Sequence, residues 1–265
     1  MDDFIKLRCL MEEKLQGTLL TAQQTQRLEE ELSVVKRTNT AGVFLQYHDC
    51  LSALKGYGVI CNGVMHCSYL CHVLGLTKVN PMDYKLPFER YFNTERKSLP
   101  FLSIAAGQEY KEKVLSILRE YFDNDFLQSY AFSLEIAKIG DYRLFTEYEI
   151  YQKAFERFVL HNFEADKGYF GIKAAENVFA ETDGKFVYQE QFYTLCNRLL
   201  GVDNTTADLW RKSICKFRKG EIEPIRKRFE SALGKDGLQL FEYVSNRMVF
   251  TVCKAYVIGL LFLNF

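Results

Sequence analysis

Residues 21–36, TAQQTQRLEEELSVVK, place Leu28, Leu32 and Val35 on one face of a helix and glutamates on the other. Thr21 stands where a hydroxyl can cap the first turn. The apolar spacing predicts a second helix over 42–55 and a third over 64–74, the latter closing at Gly75, a residue suited to the position past a helix end. Residues 56–63 between them read as a strand and turn. Val114, Ile117, Leu118 and Tyr121 again recur at helical spacing within 109–122. Further helices are expected over 142–160, 186–200, 205–216, 223–233 and 238–263, with short strands near Val59, Phe101 and Tyr169. The expected fold class is therefore α+β and helix-rich.

With 265 residues, of which 48% are hydrophobic, the chain can bury a large core. Only four prolines occur, with no low-complexity tract, which argues against a flexible linker between modules. Thirty-four basic and 34 acidic side chains cancel, so attraction to nucleic acid has to come from a local patch. The opening MDDFIKLRCLMEEKL lacks the basic and apolar regions of an export signal, so a cytoplasmic location and reduced cysteines are expected. The most apolar run, 255–263, is about half the length needed to cross a bilayer. It reads as a buried helix end, and no membrane partner is expected.

The most specific stretch is 86–106, LPFERYFNTERKSLPFLSIAA. Its first half resembles the FERFLNPER segment of the C-family bacterial polymerases, the α subunits of DNA polymerase III. In that family the next residues read S-M-P-D-x-D-x-D-F, a strand whose aspartates hold two magnesium ions. Here they read Ser98-Leu99-Pro100-Phe101-Leu102-Ser103-Ile104-Ala105-Ala106, and no acid stands between Lys97 and Gln108. Magnesium needs oxygen ligands, and a two-metal site needs carboxylates on one rigid edge.

The resemblance extends in the family's order. RLEEELSVVKRTNTAGVFLQYHDCLSAL, from Arg27, is similar to the helix pair leading into the palm. The family's G-R-G-S-A-A-G-S turn and L-G-I-T are echoed by Gly63, Ser68 and Leu74-Gly75-Leu76-Thr77, with Asn62 in place of the turn arginine and His66-Cys67 in place of small residues. Tyr188-Gln189-Glu190-Gln191 looks like Y-Q-E-Q. Ala207 to Lys212 are similar to A-D-x-L-R-R, Lys216 to Lys219 are similar to the family's basic run just after that motif, and Asn246-Arg247 stand at N-K-S-H. The family's third metal aspartate lies in D-F-L-G-L, whose best counterpart puts Gly168 in the aspartate's place.

The resemblance implies a reduced palm of nucleotidyltransferase type over 1–122 with a return segment at 161–180, a shortened thumb-like insert over 123–160, and a helical fingers-like region over 181–265. The family's enzymes are several times longer, and their further modules are not expected within these 265 residues. With Phe101, Ser103, Ala105 and Gly168 at the degenerate positions, no polymerase chemistry, metal or cofactor is expected. The expected role is binding, either to DNA or to a replication or repair protein. Candidates for phosphate contact are Gly63 and Ser68 in the turn, Arg90 and Arg96 on the palm side, and Arg211, Lys212, Lys216, Arg218, Lys219 and Arg247.

Arg211, Lys212, Lys216, Arg218 and Lys219 lie in a stretch, 210–235, with nine basic residues against three acidic, which also fits a solvated helix face. Other readings remain open: an oligomerising interaction protein without DNA binding, or an enzyme with relocated ligands at Glu109, Asp123, Glu164 or Asp166. Cys61, His66, Cys67, Cys71 and His72 could suggest zinc, with Cys67 and Cys71 one helical turn apart, but without a CxxC knuckle they read better as packed small side chains.

Overall fold

The computed structural model describes residues 2–137, 168 and 170–261. Two compact units emerge, one formed by 1–146 with 255–265 and the other by 147–254.

The first unit opens with α1 (Asp3–Lys14), α2 (Ala22–Arg37) and α3 (Ala41–Ala53). Helix α2 starts as its sequence dictates: the Thr21 hydroxyl accepts from the Gln24 amide while the Gln24 side chain accepts from the Thr21 amide. Leu28, Leu32 and Val35 are all buried. The expected helix over 64–74 is broken. Gly63–Cys67 form a 3-10 turn, Ser68 is extended, and α4 covers only Tyr69–Val73. The break follows from Ser68 serving as the cap of α4, its hydroxyl accepting from the Cys71 amide.

A three-stranded sheet supports this unit. Central β2 (Leu102–Gly107) pairs antiparallel with the two-residue β1 (Ile60–Cys61) and parallel with β3 (Phe132–Ala137). The expected strand near Phe101 begins one residue later. Residues 132–137, expected within an insert, supply the third strand. Leu102 to Ala106 are all buried, as in a central strand covered on both faces. Helices α5 (Lys111–Tyr121) and α6 (Asn124–Leu127) lie between β2 and β3 in sequence. Aromatic packing completes the core: Phe44 meets Tyr91 edge-on at 6.3 Å, and the buried Tyr47 hydroxyl donates to the Pro100 carbonyl at 2.6 Å.

The second unit comprises α7 (Lys173–Phe179), α8 (Gln189–Leu200), α9 (Asn204–Cys215) and α10 (Lys219–Arg247). Its core gathers Phe179, Phe186, Phe192, Tyr193, Phe229 and Phe241. The described residues of 168–180, expected to return to the first unit, lie in this one, because Phe170 and Phe179 both pack on Tyr243. Helix α10 kinks at Gly234 (φ 62), close to the expected gap between 233 and 238.

The expected helix over 238–263 is also interrupted, and α11 covers only Lys254–Leu261. The chain leaves the helix because Val252 exchanges backbone hydrogen bonds with Val187 and Gln189. The helix expected over 142–160 and the strand at Tyr169 lie outside the described residues. Among the described residues, no helix is long and apolar enough to cross a membrane.

Candidate functional site

Strand β2 carries the positions where the resemblance expects metal ligands. Ser103 and Ala105 are buried and Phe101 is half-buried. Ser103 is held by Asn62: its hydroxyl donates to Asn62 Oδ1, and the Asn62 amide donates to the Ser103 carbonyl at 3.0 Å. The residue that the resemblance sets at the turn arginine thus pairs with one that it sets at a metal aspartate. Gly168 lies in the second unit. Its amide donates to the Gly184 carbonyl at 3.0 Å, and a side chain there would collide with the Tyr243 ring. That ring also carries Arg247, whose guanidinium sits 4.8 Å above it.

The turn from Gly63 to Ser68 is built around an internal anion. Glu31, wholly buried on α2, accepts from the Ser68 hydroxyl at 2.7 Å and from the amides of Tyr69 and Leu70 at 2.8 and 2.9 Å. Arg27 closes the cluster, donating to Glu31 at 2.6 Å and to the carbonyls of Cys67 and Leu86. The amides that begin α4 are therefore used by a carboxylate of the chain itself. Ser68 serves that cluster, which corrects the expectation that it contacts a phosphate. Gly63 has φ 72 and faces Tyr256, whose ring would stand about 3.0 Å from any side chain there.

Beside the turn, a cavity of about 330 Å³ is lined by Lys55, Cys61, His66, Thr77, Lys78 and Gly259, among others. Burial lowers the His66 imidazole to about 4, so it is neutral near pH 7. Burial likewise raises Cys50 and Cys71 to about 12, which keeps them as thiols. Cys67 and Cys71 flank the break at Ser68 rather than sharing one helix. Among the described residues, no three histidine, cysteine or acidic side chains converge as metal ligands. Glu109 and Asp123 are exposed, and Asp123 caps α6 by accepting from the Phe126 amide at 2.7 Å. Glu164 and Asp166 lie outside the described residues.

The basic candidates separate by burial. Arg211 is buried and donates to Asp208 at 2.9 Å, and Lys212 pairs with the same carboxylate. The Tyr193 hydroxyl adds a third donor at 2.6 Å. Burial would push Asp208 up, yet Arg211, Lys212 and Tyr193 together bring it down to about 2. Arg211 is thus engaged inside the fold, while Lys212 pairs with Asp208 from a half-buried position, as the i, i+3 and i, i+4 spacing to Asp208 allows. Arg90 and Arg96 are half-buried, and Arg96 donates to the Arg90 carbonyl at 2.8 Å. Lys216, Arg218 and Lys219 are exposed at the turn between α9 and α10.

Residues 5–159, more than half of the chain, match the family described as Bacterial DNA polymerase III alpha NTPase domain. Residues 149–237 match the one described as Bacterial DNA polymerase III alpha subunit finger domain. The chain is 31% identical over 118 residues to DNA polymerase III subunit alpha of Caulobacter vibrioides, an alignment covering 42% of this chain and 10% of that protein. DNA polymerase III subunit alpha of Thermus aquaticus is 29% identical over 115 residues, 42% of this chain and 9% of its own length. The Error-prone DNA polymerase of Cutibacterium acnes is 33% identical over 91 residues, 34% of this chain and 8% of its own. The aligned part thus spans about a tenth of the length of these relatives. With a family match over more than half of its residues, the chain belongs to the bacterial DNA polymerase III alpha family.

Proposed function

We propose that this chain is a non-catalytic member of its family that acts by binding DNA, in the company of a replication or repair partner, in the cytoplasm. The observation that carries the reading is strand β2 and the residue before it: the positions at which the resemblance expects metal ligands hold Phe101, Ser103 and Ala105, and Ser103 pairs with Asn62. A two-metal phosphoryl transfer has no carboxylate to rest on there. Tyr243 over Gly168 supports the same reading at the third position. The first unit corresponds in this view to a reduced palm and the second to a fingers-like region, which the match over 149–237 supports.

Phosphate contact falls to the exposed Lys216, Arg218 and Lys219, with Arg211 and Lys212 as internal supports. Primer extension with magnesium or manganese tests the loss of chemistry: no incorporation is expected, and templated extension by the purified chain would sink the reading. Gel shift at two salt concentrations tests binding, which weakens as salt rises if phosphates are neutralised. Absence of a shift even at low salt would leave an interaction protein without DNA binding as the better account.

A further inference from the structure

The turn between α9 and α10 is built against the preferences of its own sequence. Helix α9 closes with two paired bonds, Phe217 N–H to the Ile214 carbonyl and Arg218 N–H to the Ser213 carbonyl, both 3.0 Å. This closure puts one residue in the left-handed region, where glycine is usual. Here that residue is Phe217, with φ 51. A bulky residue in that region is strained, and strain of this kind gathers at functional positions. Packing does not offset it, since Phe217 is 68% exposed.

The ring stands in a run of cations. No acid occurs from Leu209 to Gly220, and Lys216, Arg218 and Lys219 are all exposed. Arg218 faces Glu221 at 3.3 Å, and Glu221 also accepts from the Ser213 hydroxyl. Lys216 and Lys219 have no ion pair among the described residues. An exposed aromatic face between lysines suits a strand whose bases are unpaired: the ring stacks on a base and the ammonium groups meet the phosphates on either side. A duplex buries its base faces and offers only the second half of that contact.

We propose that Lys216 to Lys219 form a single-stranded DNA contact in which Phe217 stacks on a base and Lys216 and Lys219 hold the neighbouring phosphates. This inference rests on the DNA-binding reading above and adds to it the kind of strand and the residue that grips it.

The test is fluorescence anisotropy of a labelled oligothymidine with the full chain, alongside thermal melts. Phe217→Gly is expected to weaken binding by about tenfold or more, the size of one lost base stack, while the melting temperature rises because glycine accepts the left-handed backbone. Phe217→Trp is expected to restore binding. Equal affinity of Phe217→Gly and the natural chain overturns the inference, as does a fall in its melting temperature, which would make Phe217 a packing residue. Tighter binding to a duplex or to oligouridine overturns the assignment to single-stranded DNA. No binding by the natural chain at low salt overturns the DNA-binding reading itself, an outcome distinct from binding that ignores Phe217.

Discussion

Ser103 and Asn62 hold each other across the β1–β2 edge through both backbone and side chain, with the Ser103 hydroxyl donating to Asn62 Oδ1. A carboxylate at position 103 would meet an oxygen in a place only 3% exposed, with no cation opposite to it in that pair. Ser103→Asp is therefore expected to destabilise the fold by about 2–5 kcal/mol, as for an uncompensated buried charge, without restoring nucleotide incorporation. Urea denaturation and primer extension on the same preparation check both parts.

Tyr243 occupies the space that a side chain on Gly168 would need. The ring is fixed there by Phe170, Phe179 and Arg247, and its hydroxyl accepts from the Phe186 amide at 3.1 Å. Even Gly168→Ala is expected to cost about 1–3 kcal/mol, the usual range for overpacking a filled site. A denaturation midpoint equal to that of the natural chain would contradict it.

Glu31 satisfies four donors at once, so truncating it strands the Arg27 guanidinium and two amides at the start of α4. Glu31→Ala is expected to lose about 3–5 kcal/mol, the cost of breaking a buried pair from one side. Hydrogen exchange at Tyr69 and Leu70 should quicken in the same variant, since their amides lose their acceptor.

Asp208 gives the second unit an acid-sensitive joint. Its folded value of about 2 lies below the ordinary 3.8. The carboxylate's contribution is complete above 3.8 and is lost as pH falls toward 2, on the order of 2 kcal/mol. Asp208→Asn should be less stable at pH 6 and lose less on acidification, so that the gap between the two chains narrows between about pH 4 and 2. Chemical denaturation across that window measures it.

Much of the framework was legible in the residues. The Thr21 cap, the buried face of α2 and the spacing in 109–122 are local signals, and each appears as an element close to its expected place. The absence of acids between Lys97 and Gln108 is a fact of composition and needs no coordinates. What failed to show were the interruptions. Ser68 breaks 64–74 because a carboxylate 37 residues earlier draws its hydroxyl. Helix α11 starts late because Val252 pairs with a strand-like segment 65 residues before it. Helical periodicity cannot register partners so distant.

The same division runs through the site. By itself the sequence determined that no carboxylate stands between Lys97 and Gln108 and that a basic run covers 216–219, because those statements depend only on which residues occupy which positions. Tertiary structure alone decided which charges face outward: Arg211 is buried beside Asp208 and Lys212 pairs with the same carboxylate, while the turn after α9 left Lys216, Phe217 and Lys219 in solvent. The physical reason is that a charge is spent or available according to what lies within a few ångströms of it, and that neighbourhood is set by packing rather than by order along the chain.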